Sequence, residues 1–285
     1  MKTVGPKGPL EWAHFINLVL NEAYGQERHP ISVVETAKTL TASKYPDDAI
    51  QMVEGGNFPG LEGMLVPAPE GKNGWAIFFN HQVPSKRRIR FTLAHEFGHY
   101  LMHRYRFPKG LQCANAELPN RNRALATIEE EADIFASNLL MPIEDYKKQI
   151  GPDEFTDLNM LGCAADRYGV SMLAAIRQWL RYTNLRAVLV VSEEGYFDWS
   201  ESSKAAKRTG HKFPSFASPP AEIPADSLAA KRDITNYPKD GVPMPAGIWF
   251  EKDPVLEMAV FADRYDFIAS LLILDFENHP EAKAG

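Results

Sequence analysis

The sequence predicts an α+β fold in two parts: helices around a small sheet first, and a β-rich part last. Three observations predict it. Apolar residues recur at helical spacing over residues 10–24 and 129–140. Two short apolar runs, "LEGMLVP" and "WAIFFN", lie between Gly- and Pro-containing segments, as strands do. From Arg186 onward, strand-like runs dominate. A chain of 285 residues suits about two domains. The boundaries fall at residues 8–150 for the first domain, 151–184 for a helical segment and 185–285 for the β-rich domain.

Each element has its own signal. Leu10, Ala13, Phe15, Ile16, Val19, Leu20 and Ala23 make the apolar face of a first helix. "PISVVETAKTL", with Pro30 near its start, reads as a second. Leu61–Pro67 and Trp75–Asn80 then read as antiparallel strands. The basic stretch "SKRRIR" leads into a helix containing "FTLAHEFGHY". Residues 104–126 read as a loop, broken by Pro108, Gly110 and Pro119. A strong helix follows over 129–140 and stops at Pro142. Residues 157–182 give one or two helices, interrupted near Gly169. "RAVLVV", "GYFDW", "GIWF", "LEMAVFA" and "FIASLLILDF" read as strands of the second domain. Between them, the Ser/Pro/Lys-rich residues 200–246 read as partly disordered. There is no internal repeat.

Composition narrows the class. With 45% hydrophobic residues and a net charge of −6, the chain reads as globular, without the basic excess of a nucleic-acid-binding domain. Two cysteines, Cys113 and Cys163, are too few for a disulfide framework, so a reducing cytoplasm is expected. The start, "MKTVGPKGPLEW", lacks the apolar stretch of a signal peptide. No run of 18 apolar residues occurs, so no membrane-spanning helix is expected.

The chemistry concentrates in "HEFGH". On a helix, residues four apart share a face, so His95 and His99 can present ring nitrogens to one metal ion. Glu96 projects beside them, where it can hold water on the metal and deprotonate it. The neighbours Leu93, Ala94, Phe97, Gly98, Tyr100 and Leu101 are uncharged, as a buried helix requires. A third ligand is needed. His103 continues the series, but eight residues of helical rise put it about 12 Å from His95, too far for a shared ion. The longer H-E-x-x-H-x-x-G-x-x-H pattern also fails, because Met102 and Tyr105 stand at its Gly and His. His103 therefore reads as structural, or as a support behind a ligand. The next helix, "IEEEADIFASNLLMP", offers Glu129 as the carboxylate ligand. Asp133, one turn on, can accept the N–H of a ligating histidine and fix its tautomer. Glu130 and Glu131 read as solvated surface acids. Cys163 reads as core.

Together, "RFTLAHEFGHYLMH" and "EEEADIFASNLLMP" resemble the ImmA/IrrE family of bacterial metallopeptidases. "PISVVETAKTL", "GLEGMLVP", "WAIFFN" and "AADRYGVSMLAAIRQWL" are similar to that family's layout, so the resemblance covers about residues 10–182. It implies a zincin-type core in residues 8–150, with Zn2+ held by His95, His99 and Glu129 and with Glu96 as general base. It implies a separate helix-turn-helix repressor as substrate, as in stand-alone phage-defence members. It also implies a sensor role, of GAF type, for residues 185–285.

Three further expectations complete the reading. "WAIFFN" would be an edge strand that pairs with an extended substrate. Cys113, in the loop after the histidine helix, would bind zinc as an inhibitory fourth ligand; some relatives are thought to use a cysteine so. Single-stranded DNA would act as activator. The basic clusters Lys86, Arg87, Arg88, Arg90 and Lys204, Lys207, Arg208, Lys212 would contact it, with Phe213 and Phe216 as stacking platforms. Two other readings stand beside this one: a non-catalytic DNA- or ligand-sensing regulator that binds its repressor, and a zinc hydrolase with a different substrate.

Overall fold

The computed structural model describes residues 6–114, 123–213, 221–232, 238–262 and 267–276; side chains of residues 112–124 and 262 are not among what is described. The chain divides into two compact units, Met1–Ile143 with Asp166–Ser171, and Glu144–Ala165 with Met172–Gly285.

In the first unit, α1 (Pro9–Tyr24) has Pro at its N-terminus and ends at Gly25, whose φ of 76° only glycine adopts freely. Its buried face, Trp12, Ala13, Ile16 and Leu20, packs toward α4 (Arg123–Leu140). Buried Asn17 on that face donates to the carbonyls of Asn138 (3.2 Å) and Leu139 (3.4 Å), satisfying the end of α4. In α2 (Val33–Lys44), Ser32 is the cap and accepts the N–H of Glu35.

The sheet has four strands: β1 (Ile50–Gly56), β2 (Leu61–Pro67), β3 (Trp75–Asn80) and β4 (Leu111–Ala114), in the order β1-β3-β2-β4. β2 and β3 are antiparallel neighbours as expected, with Leu65 opposite Ile77. β3 is not an edge strand: it is hydrogen-bonded to β1 on one side and β2 on the other. Among the described residues, the edges are β1 and β4. The reading of 104–126 as a loop also needs correction, because residues 111–114 form β4 on the far side of β2.

The sheet supports α3 (Lys86–His103), which packs against β2 and β3. Ser85 caps it, accepting the N–H of Arg88. Three arginines crowd its first turns, where the helix dipole disfavours cations. Each has a local partner. Arg87 meets Asp166, Arg88 donates to Glu62 at 2.7 Å, and Arg90 donates to the carbonyls of Ile31 (2.8 Å) and Tyr168 (3.3 Å). Through these pairings the three arginines tie the unit together. At the other end, buried Arg104 pairs with Asp48 at 2.8 Å and lies over the rings of Tyr45, Tyr100 and Tyr105.

α5 (Ile143–Gln149), α6 (Leu158–Tyr168) and α7 (Met172–Leu180) follow, with Gly169 at φ 62° between the last two, as the interruption there predicts. α6 buries Leu161, Ala164, Ala165 and Tyr168, a single helical face. Cys163 lies off that face and is exposed, so its assignment to the core is overturned.

The second unit carries an antiparallel five-stranded sheet. Its strands are β5 (Ala187–Glu193), β6 (Tyr196–Ser202), β7 (Val242–Met244), β8 (Val255–Ala262) and β9 (Phe267–Ile273), ordered β6-β5-β9-β8-β7. Residues 247–250, "GIWF", are not a strand; Trp249 is buried in the core instead. The expected disorder over 200–246 gives way, where residues are described, to α8 (Lys204–Arg208), α9 (Leu228–Lys231) and β7; residues 214–220 and 233–237 lie outside the described residues. One core face contains Val188, Val190, Trp249, Ile268 and Leu272. Glu257 is buried beside it without cost in unmet hydrogen bonds. It accepts from the N–H groups of Leu228 and Ala229, the indole of Trp249 at 2.8 Å and the hydroxyl of Ser270 at 3.0 Å.

Candidate metal centre

The site forms where α3 meets α4. A Cβ at Gly98 would lie 2.8 Å from the ring of Phe135 and 3.4 Å from the Cα of Ala132. Glycine on one helix and alanine on the other therefore let the two axes approach closely. That approach brings Glu129 within reach of both histidines.

His95 and His99 share the buried face of α3, and their Nε2 atoms are 2.9 Å apart. Glu129 spans them: its two oxygens lie 3.5 Å from His95 Nε2 and 3.5 Å from His99 Nε2. These three residues form a group whose ligand atoms all fall within 4.8 Å of one another, and they could hold a metal ion. Two ligands each about 2.1 Å from one ion at a tetrahedral angle stand about 3.4 Å apart. The carboxylate distances fit that spacing, and the nitrogens need part by only about half an ångström. The other ring nitrogens are already engaged, His95 Nδ1 with Asp133 at 2.8 Å and His99 Nδ1 with His103 at 2.9 Å. Both Nε2 atoms are thereby turned inward.

The charges agree with this arrangement. Burial opposes a proton on His95, but hydrogen bonds to Asp133 and Glu129 and the nearby charge of Glu96 outweigh it, and its pKa rises to about 9. Burial dominates at His99 and lowers its pKa to about 4. The two rings are thus pushed in opposite directions, His95 toward the charged form and His99 toward the neutral one. Burial also works against a charge on Glu129, yet the proton-bearing His95 beside it keeps its carboxyl well below the usual range. A divalent cation would meet a ready carboxylate and would compete with the proton favoured on His95.

Glu96 is fully buried beside His95. Its side chain lies against the backbone of β2 at Gly63, where an added Cβ would fall 2.7 Å from Glu96 Oε1 and 2.6 Å from Thr92 Cγ2. Gly63 is thus a site residue that the sequence reading missed, since a glycine within a strand usually signals only a bulge or a close approach. Gly63→Ala should push the Glu96 carboxylate aside. Any reaction that uses Glu96 as its base is expected to slow at least about 100-fold with metal binding unchanged, measured by turnover and metal analysis on the same sample.

The structure joins His95, Glu96, His99, Glu129 and Asp133 in one site. It corrects the reading of Glu131, which is not merely a solvated acid: its Oε2 lies 2.9 Å from His103 Nε2. The available signal was His103 itself, which continues the spacing of His95 and His99. Cys113 has its backbone in β4 opposite Gly63, while its side chain lies outside the described residues. In the second unit, Lys204, Lys207, Arg208 and Lys212 are exposed. Phe213 stacks on Phe250 at 5.1 Å and packs on Phe197 at 4.9 Å, so it is no open platform for a base. Phe216 lies outside the described residues.

No described helix is long and apolar enough to cross a membrane. Comparison with curated proteins finds no match. The family model of the IrrE N-terminal-like domain (Peptidase_M78) matches residues 26–179, a span that contains every element of the metal-binding group. The chain belongs to this family of metallopeptidases.

Proposed function

We propose that the protein is a cytoplasmic zinc endopeptidase that cleaves a separate helix-turn-helix repressor and so derepresses stress or phage-defence genes. The observation that carries this reading is the convergence of His95 Nε2, His99 Nε2 and Glu129 beside the buried Glu96. Two imidazoles and a carboxylate are three protein ligands, the number that leaves catalytic zinc a fourth position for water. When bound, zinc supplies Lewis acidity that acidifies water and polarises a carbonyl. Glu96 takes a proton from the attacking water and hands it to the leaving amine. Asp133 accepts the Nδ1 proton of His95 and holds that ring in place. Tyr100 is not the oxyanion donor, because its hydroxyl is committed to the carbonyl of Asp48 at 2.7 Å.

The substrate chain adds to β4. This sheet edge lies one strand beyond Gly63, whose missing side chain makes room for Glu96. Main-chain pairing of this kind accepts many sequences. Cys113 sits on that same strand, about 4.8 Å of strand spacing from Gly63. Its thiolate as a fourth ligand would exclude water until the strand moves, which would make the enzyme latent. Cys113→Ser is then expected to raise basal cleavage several-fold at equal zinc content; unchanged basal cleavage contradicts the latch. Residues 185–285 act as the sensor domain, and the exposed Lys204, Lys207, Arg208 and Lys212 support single-stranded DNA as the activating signal.

The test is to incubate the zinc-loaded chain with the repressor encoded beside its gene, with and without single-stranded DNA, and to follow products by mass spectrometry. A single cleavage in the repressor, faster with DNA at low salt, is expected. An intact repressor that nevertheless binds the zinc-loaded chain would point to the non-catalytic regulator.

A further inference from the structure

Beyond the ligands, α3 and α4 carry a continuous line of hydrogen bonds. It runs from His99 Nδ1 to His103 Nδ1 at 2.9 Å, and from His103 Nε2 to Glu131 Oε2 at 2.9 Å. Both histidines are buried, whereas the Glu131 side chain is 38% exposed. Proton positions along this line follow from chemistry. An ionised carboxylate only accepts, so His103 must donate from Nε2. A neutral imidazole with its proton on Nε2 must accept at Nδ1. His99 must therefore donate from Nδ1, which leaves the lone pair on its Nε2. That is the atom aimed at His95 Nε2 and the Glu129 carboxylate.

We infer that His103 and Glu131 are positioning residues for metal binding: relayed through two imidazoles, the Glu131 carboxylate fixes the tautomer and ring orientation in which His99 Nε2 faces the metal. This rests on the reading of His99 as a metal ligand. The two ligand histidines are then held differently. His95 is oriented directly by Asp133, and His99 at one remove by the His103–Glu131 pair. The arrangement also explains why α3 keeps a third histidine at i+4 that is too far along the axis to reach the ion.

Glu131 carries the test, because it is partly exposed while truncation of buried His103 would open a cavity. The full chain is compared with Glu131→Ala, Glu131→Gln and Glu130→Ala, the last being an exposed neighbour on the same helix. Zinc affinity is read by competition with a chromophoric chelator. Imidazole protonation is read by 15N–1H spectra of the metal-free proteins. Wild type is expected to show His99 protonated on Nδ1 and His103 on Nε2. Glu131→Ala should lose that fixed pattern and bind zinc about 10–100-fold more weakly. Glu131→Gln keeps an acceptor oxygen and should recover most of the affinity; Glu130→Ala should match wild type. Wild-type zinc binding with an unchanged affinity and tautomer pattern in Glu131→Ala would overturn this inference alone. Failure of wild type to bind zinc would overturn the metal reading on which it rests.

Discussion

Glu96→Gln is expected to lower peptide cleavage by about 100- to 10,000-fold while leaving zinc content unchanged. The substitution keeps the shape of the side chain, which matters because Glu96, like Thr92, lies so close to Gly63 that a Cβ there would collide with it. It removes only the ability to take and return a proton. Metal affinity should hold, since the group that could bind the ion consists of His95, His99 and Glu129. Cleavage by Glu96→Gln at the wild-type rate would remove Glu96 from the chemistry. Loss of zinc together with activity would instead make it a structural part of the metal site.

Glu129→Ala is expected to weaken zinc binding by more than the roughly 100-fold that loss of an outer partner costs. Two histidines alone leave the ion half ligated. The deficit is sharpened because the contact with His95 that holds Glu129 ionised also makes it available without proton release. Asp133→Asn touches His95 Nδ1 rather than the ion, so its effect should be smaller, about 10- to 100-fold. The order of the two losses, measured by chelator competition, separates ligand from support. Equal losses would contradict the assignment of Glu129 as the third ligand.

The centre of the site was legible in the sequence because helical geometry is local. Four-residue spacing alone puts His95 and His99 on one face, and an acidic turn on the next amphipathic helix supplies Glu129. What lay outside local reach was missed. β4 is four residues long in a segment full of breakers, and only pairing with β2 makes it a strand. β3 reads as an edge strand until β1 is known, and β1, "IQMVEGG", has too few apolar residues to announce itself. "GIWF" has strand composition, but its aromatic rings are spent on core packing. Cys163 among apolar neighbours faces outward because Leu161, Ala164, Ala165 and Tyr168 take the buried side. Glu131 looks like any surface acid until α4 is laid along α3. Gly63 shows its role only where β2 crosses Glu96.

The central claim is that one ion sits among His95, His99 and Glu129 and that the chemistry happens beside it. Anomalous diffraction at the zinc edge from crystals of the zinc-loaded protein tests this most directly. The account predicts one strong peak about 2.0–2.2 Å from His95 Nε2, His99 Nε2 and a Glu129 oxygen. A peak bound elsewhere, or none in protein shown to be loaded, would contradict it.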